Sequence, residues 1–261
     1  MRKVYGFLVA AMLVCIGCQW RLKANNTDAE ETHVSIHRYD RIESLYLTTG
    51  DYSALQQMNT YYPRQTRTLI EDVLRLGQVN DHDINSKFLS FFQDSTLQRM
   101  IVEVQRQYKD IDDLAEELSE AFLRLKEMLP SIDLPEVYTQ IGSFDQSIIV
   151  ANNMVGISLD KYLGADYPFY QEHYTEEQRS LMTRFMIVPD CLSFYILSLY
   201  PLPSSQLSDY ELRGIHMGKI QWVVNQVMQN DIFNNEYVLQ VADSMKRTQM
   251  PVEQLLRQTV K

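Results

Sequence analysis

The sequence of 261 residues contains few cysteines: Cys15, Cys18 and Cys191. A disulfide framework or a cysteine-rich zinc module is not expected, because such folds need several thiols at short spacings. The chain also lacks internal repeats and low-complexity runs.

Basic residues are fewer than acidic residues, with 24 Lys and Arg against 34 Asp and Glu, which gives a net charge of −10. Non-specific nucleic-acid binding is therefore disfavoured.

The N-terminus is typical of an exported lipoprotein. A short basic start precedes an apolar run over 4–16, which has the length of a signal-peptide core and is too short to span a bilayer comfortably. The run ends in Gly17-Cys18, which resembles a bacterial lipobox, although Cys15 stands where leucine is usual. We predict that Cys18 is lipidated. An ordinary cleaved signal peptide is the alternative.

These features predict three parts: a lipoprotein signal peptide over 1–17, a lipidated cysteine with a flexible tether over 18–35, and one globular domain over 36–261. Residues 19–21, Gln-Trp-Arg, follow Cys18 without an aspartate at the second position. We therefore expect the lipid to hold the protein at the outer membrane, with the domain facing the periplasm.

Most of the domain is predicted to be helical. Residues 110–129 place apolar side chains at the helical spacing, with acidic residues first and basic residues near the end. Capping boxes at Thr175 and Ser208 predict two further helix starts. The apolar run from Pro189 to Leu199 predicts a buried helix. Hydrophobic residues make up 45% of the chain, which allows a substantial core.

The strand signal lies in the middle of the chain. Two β-rich runs flank a turn-like segment at 143–145, and Asn152-Asn153 makes a second turn. We predict a small antiparallel sheet around residues 136–158. The fold class is therefore α+β, mainly α-helical.

Asp160 follows the predicted sheet and begins a short turn that ends at Gly164. We interpret Asp160 as the cap of this turn, so that Asp160→Ala costs about 1 kcal/mol of stability. The alternative is that Asp160 binds a partner.

The same region carries a family resemblance. The sequence Gly156-Ile-Ser-Leu-Asp-Lys-Tyr-Leu-Gly164 follows an apolar strand and precedes Asp166-Tyr-Pro-Phe-Tyr170. It resembles the GldB family of gliding motility lipoproteins, whose members carry a GLDxYLG turn followed by an acidic-aromatic xxPxY segment. The segment Ile36–Asp40 and the pair Gly218-Lys219, similar to a GKxxY helix of that family, extend the resemblance over most of 36–228.

The resemblance implies a non-catalytic function. It marks Asp160, Tyr162, Gly164, Gly218 and Lys219 as motif residues. It also implies a lipid-anchored, non-catalytic component of an envelope machinery for motility or secretion. An envelope protein is the expected partner, and no cofactor is expected.

The family also resembles zinc-dependent metallopeptidases in layout, with a small sheet, an HExxH helix and a later helix that supplies a third ligand. Here residues 184–194 contain no histidine, and His216 stands near where the acidic ligand is expected. We therefore predict a zincin-like layout without catalytic or metal-binding residues. Two alternatives stay open: a divergent zinc peptidase that uses His216, and a lipoprotein that binds a peptide or glycan along the sheet edge near 148–158.

Overall fold

Twelve α-helices and a four-stranded sheet form the part of the chain that the computed structural model describes, residues 33–206 and 208–258. The helices are α1 (Tyr39–Thr49), α2 (Tyr52–Tyr61), α3 (Pro63–Arg67), α4 (Ile84–Phe91), α5 (Ser95–Gln107), α6 (Asp112–Met128), α7 (Pro168–His173), α8 (Glu176–Leu181), α9 (Ile187–Leu199), α10 (Tyr210–Met228), α11 (Glu236–Thr248) and α12 (Val252–Arg257). The predicted signal peptide, the lipidation at Cys18 and the tether as far as residue 32 lie outside the described residues. The prediction of a mainly helical α+β fold is confirmed.

The sheet is mixed, not antiparallel throughout as predicted. Its strands are β1 (Ile36–His37), β2 (Glu136–Gln140), β3 (Ile148–Ala151) and β4 (Met154–Ser158), in the order β1-β2-β4-β3. β3 and β4 form the expected antiparallel hairpin, but β2 runs parallel to both β1 and β4. Every residue of β4 is buried, and a strand covered on both faces suits an interior position in a sheet.

Helix starts agree with the capping signals. At α8, Thr175 accepts a hydrogen bond from the backbone N–H of Gln178, whose side chain accepts one in return. At α10 the predicted cap is one residue off, because the carboxylate of Asp209 accepts from the N–H of Leu212 at 3.1 Å and aspartate is an effective cap. Pro189 lies in the first turn of α9, where its missing N–H is tolerated.

The first described residues are fastened to three distant elements. His33 Nδ1 and the backbone N–H of Val34 lie 2.8 Å and 3.1 Å from the hydroxyl of Ser119 in α6. β1 then pairs with β2. The Arg38 guanidinium donates to Asp40 and to the carbonyl of Tyr108 at the end of α5, each at 2.8 Å.

Within residues 33–206 and 208–258, we find no helix that is both long enough and apolar enough to cross a lipid bilayer.

Candidate functional site

The Asp160 side chain lies beyond the ends of the parallel strands β2 and β4. It is fully buried, and its two carboxylate oxygens accept from the backbone N–H groups of Gly142 at 2.7 Å and Phe144 at 2.6 Å. The cap interpretation is wrong, because Asp160 lies inside its short 3₁₀ turn and Ser158, which precedes that turn, makes no capping bond. Asp160 instead supplies the acceptors that two buried N–H groups of the β2–β3 loop need.

Lys161 binds the carbonyl group of Phe144, the residue whose N–H group is bound by Asp160. Its ammonium group donates to the carbonyl oxygen of Phe144 at 3.0 Å. Ser143 and Phe144 have φ angles of 54° and 65°, a left-handed conformation that bulky L-residues rarely adopt. Adjacent residues of the motif thus fix both peptide groups of a strained phenylalanine, and we call this pair the Asp160–Lys161 clamp.

The clamp fixes the position of a stack of rings. The Phe144 ring stacks on Phe169 and the Phe169 ring stacks on His173, each with 4.1 Å between centroids. His173 is exposed, whereas Phe144 is buried. We call these three residues the aromatic column, because they run from the buried loop to the surface of α7.

The aromatic column reaches a groove of about 540 Å³ between α5 and α7. Its walls are formed by Thr96, Arg99 and Glu103 from α5 and by Tyr167, Pro168, Phe169, Glu172 and His173 at α7. We call it the α5–α7 groove. It combines half-buried aromatic rings with charges of both signs, so it offers apolar contact and polar specificity to a ligand or partner.

Tyr162 and Gly164 connect the segment that follows Asp160 and Lys161 to other elements of the domain. The Tyr162 hydroxyl donates to Asp190 at 2.8 Å, and the Tyr162 carbonyl accepts from the hydroxyl of Tyr108 at 2.5 Å. Gly164 has a φ of 102° and donates its N–H to the carbonyl of Met182 at 3.0 Å. The predicted end of the turn at Gly164 is wrong, because the 3₁₀ helix stops at Lys161 and Tyr162 follows it as the cap residue. Gly164 lies two residues further along the chain, at a φ that would strain other residues.

Asp190 is expected to make stability depend on pH. Burial raises its pKa from 3.8 to about 6, although the hydrogen bond from Tyr162 opposes this. The folded state therefore holds the proton more tightly than the unfolded chain does, and this contribution is lost as the pH rises from 3.8 to 6. Asp190→Asn removes the ionisation, so we expect it to raise the free energy of unfolding by about 3 kcal/mol near pH 7.5 and to change it little near pH 3.5. Urea denaturation at both pH values checks this, and an equal effect at both would contradict it.

Glu43 is a further buried carboxyl group that the sequence analysis missed. One of its oxygens accepts from the N–H of Ile141 at 2.9 Å, directly before the first N–H held by Asp160. Burial raises the pKa of Glu43 well above its ordinary value. Its spacing from Tyr39, four residues earlier on the buried face of α1, is the signal that could have identified it.

Gly218 and Lys219 contact the C-terminal helices and lie apart from the Asp160–Lys161 clamp. A Cβ atom at Gly218 would lie 2.6 Å from Cβ of Tyr237 in α11 and 2.9 Å from its carbonyl carbon. The buried Lys219 donates to the carbonyl of Gln258, next to α12, at 2.8 Å. These two motif residues therefore fasten the C-terminal helices to α10, and none of these contacts involves Asp160.

His216 is also a packing residue. It is buried, its Nε2 lies 2.8 Å from the carbonyl oxygen of Tyr200, and burial lowers its pKa. In the described part of the chain, no three His, Cys, Asp or Glu residues are placed to hold a metal ion together. Cys191 is buried, and burial raises the pKa of its thiol, so it is not an activated nucleophile.

The strand order limits where a peptide or glycan could bind along the sheet edge. β4 pairs with β2 on one side and with β3 on the other. Only the β3 part of the predicted 148–158 stretch therefore lies at an edge of the sheet.

Residues 21–237 match the family described as gliding motility protein GldB. The chain belongs to the GldB family. The match contains the Asp160–Lys161 clamp, the aromatic column and both walls of the α5–α7 groove, and it confirms the resemblance drawn from the sequence. GldB membership indicates a gliding motility lipoprotein of the cell envelope. No curated protein and no solved structure matches the chain.

Proposed function

We propose that this chain is a lipid-anchored, non-catalytic interaction component of an envelope machinery for gliding motility or its associated secretion. GldB membership supports the motility role. The lipobox at Cys18 supports the anchor, and the residues directly after it favour the outer membrane with the domain facing the periplasm.

The α5–α7 groove is the observation that carries the interaction role. Its aromatic wall is fixed before any partner arrives, because Phe169 stacks on Phe144, whose peptide groups are held by Asp160 and Lys161. A pre-formed wall lowers the conformational entropy that binding must remove. Aromatic side chains beside an arginine are also the residue types that dominate the energetics of protein interfaces. We therefore assign the envelope partner to this groove.

Site-specific photo-crosslinking in intact cells tests the proposal. A photoreactive amino acid at His173 is expected to cross-link one envelope protein. The same probe at Tyr52, which is 83% exposed in α2 and does not line this groove, is expected to capture much less of it. Phe169→Ala is expected to reduce capture from position 173 about tenfold or more, because it removes the wall of the groove. Cys18→Ala is expected to move the protein from the membrane fraction to the soluble fraction.

The cross-linking experiment and the fractionation experiment test the groove and the lipid anchor separately. Equal capture from positions 173 and 52, or capture that Phe169→Ala leaves unchanged in a normally folded protein, would rule out this groove as the interface. A Cys18→Ala protein that stays in the membrane fraction would rule out the lipid anchor. The melting temperature of each variant separates loss of binding from loss of folding.

A further inference from the structure

A second groove lies between α10 and α11, apart from the family motif. It has a volume of about 520 Å³, and its walls include Trp222, Phe233 and Leu239. A cavity of about 400 Å³ beyond the end of α10 shares Asn225, Gln226 and Asp231 with it. We call the two together the α10–α11 groove.

The polar lining of this groove is dominated by neutral amides. Gln226, Gln229, Asn230 and Asn234 are exposed there. Their side chains accept and donate no hydrogen bond within residues 33–206 and 208–258. An amide side chain carries both donors and an acceptor, and it therefore complements a hydroxyl group, which also does both.

The loop between α10 and α11, which carries three of these amides, is fixed. The buried Asn225 side chain donates to the carbonyl of Phe233 at 2.7 Å and accepts from its N–H at 3.0 Å. Asn235 donates to Gln221 at 2.7 Å, and Gln229 holds a left-handed conformation with a φ of 54°. Asn225 and the Asn235–Gln221 pair thus brace the loop, while the four unpaired amides point to a ligand.

The remaining lining supplies an apolar surface and little charge. Trp222 and Phe233 are half-buried aromatic residues, and an aromatic ring packs against the C–H face of a sugar while the amides meet its hydroxyl groups. Asp231 and Lys246 are the charged residues in the two linings, and Lys246 lies 3.9 Å from Asp243. An apolar peptide helix would instead cover the amides without pairing them, which costs free energy.

We propose that the α10–α11 groove binds a neutral glycan. This site is independent of the proposed partner interface, because its residues and those of the α5–α7 groove do not overlap. Much of one wall also lies beyond residue 237, where the family match ends.

Tryptophan fluorescence of the full-length protein in detergent tests this. The chain has two tryptophans, Trp20 and Trp222, so Trp20→Phe leaves Trp222 as the reporter. Chitohexaose, maltohexaose, cellohexaose and xylohexaose are titrated to about 10 mM, which detects even weak binding. We expect saturable quenching by at least one of them, and Gln226→Ala with Asn234→Ala is expected to weaken it about tenfold.

Gln240→Ala is the matched control, because Gln240 is an exposed amide on α11 that does not line the groove. Unchanged binding in this variant supports the proposal. No response to any hexasaccharide overturns it, and so does quenching that the double variant leaves unaltered. A response limited to an amphipathic helical peptide of about 18 residues, titrated in parallel, also overturns it in favour of a peptide site.

Discussion

Asp160→Ala is expected to lower the free energy of unfolding by roughly 3–5 kcal/mol, because it leaves two buried backbone N–H groups without an acceptor. Those N–H groups belong to Gly142 and Phe144, which Asp160 contacts at 2.7 Å and 2.6 Å. The loss also releases Phe144 from its left-handed conformation, so the aromatic column should loosen. Urea denaturation followed by far-UV circular dichroism measures the change in stability.

Asp160→Asn is the matched control for this prediction. An asparagine of the same shape presents one acceptor and one NH2 donor in place of two acceptors, and the donor cannot pair with the second N–H. We therefore expect it to lose at least half as much stability as alanine. A loss of only about 1 kcal/mol in the alanine variant would instead be the size of a lost helix cap. That result would show that the two hydrogen bonds add little to the fold.

Gly218→Val is expected to cost roughly 3 kcal/mol, because the added side chain meets backbone atoms that cannot move aside. A Cβ atom there would lie 2.9 Å from the carbonyl carbon of Tyr237 and 3.1 Å from its oxygen. At Gly214, one turn earlier, a Cβ atom would instead meet the Tyr237 ring at 2.4 Å. Gly214→Val is expected to cost less, about 1 kcal/mol, since a half-buried ring can rotate away.

A double-mutant cycle with Tyr237→Ala separates the two cases by thermal unfolding. Without the ring, Gly214→Val should become nearly neutral. Gly218→Val should keep most of its cost, because Cβ, the carbonyl carbon and the oxygen of residue 237 all remain. Equal rescue of both valines would mean that the ring, not the backbone, sets the distance between α10 and α11.

Features encoded by local sequence were predictable. Asn152 and Asn153 adopt φ angles of 50° and 59°, which asparagine tolerates and which a tight hairpin requires. The capping box at Thr175 likewise involves residues only three positions apart. In such cases the residues that determine the structure are neighbours in the chain.

Features that depend on distant partners were not predictable. The parallel pairing of β2 with β4 skips the strand between them in sequence, and no spacing rule selects it over a hairpin. The role of Asp160 was missed for the same reason, since its acceptors serve N–H groups 16 and 18 residues away. The α5–α7 groove joins α5 to α7, which lie far apart in the chain.

The fastening of the first described residues has a mechanical consequence. A pulling force transmitted along the chain from before His33 would meet, between His33 and Arg38, the bonds to Ser119, the β1–β2 pairing and the Arg38 contact with Tyr108. These attachments lead to α6, β2 and the end of α5. The force is therefore shared among these three elements before it reaches α1. A domain fastened in this way can bear tension at its N-terminal side without unravelling helix by helix.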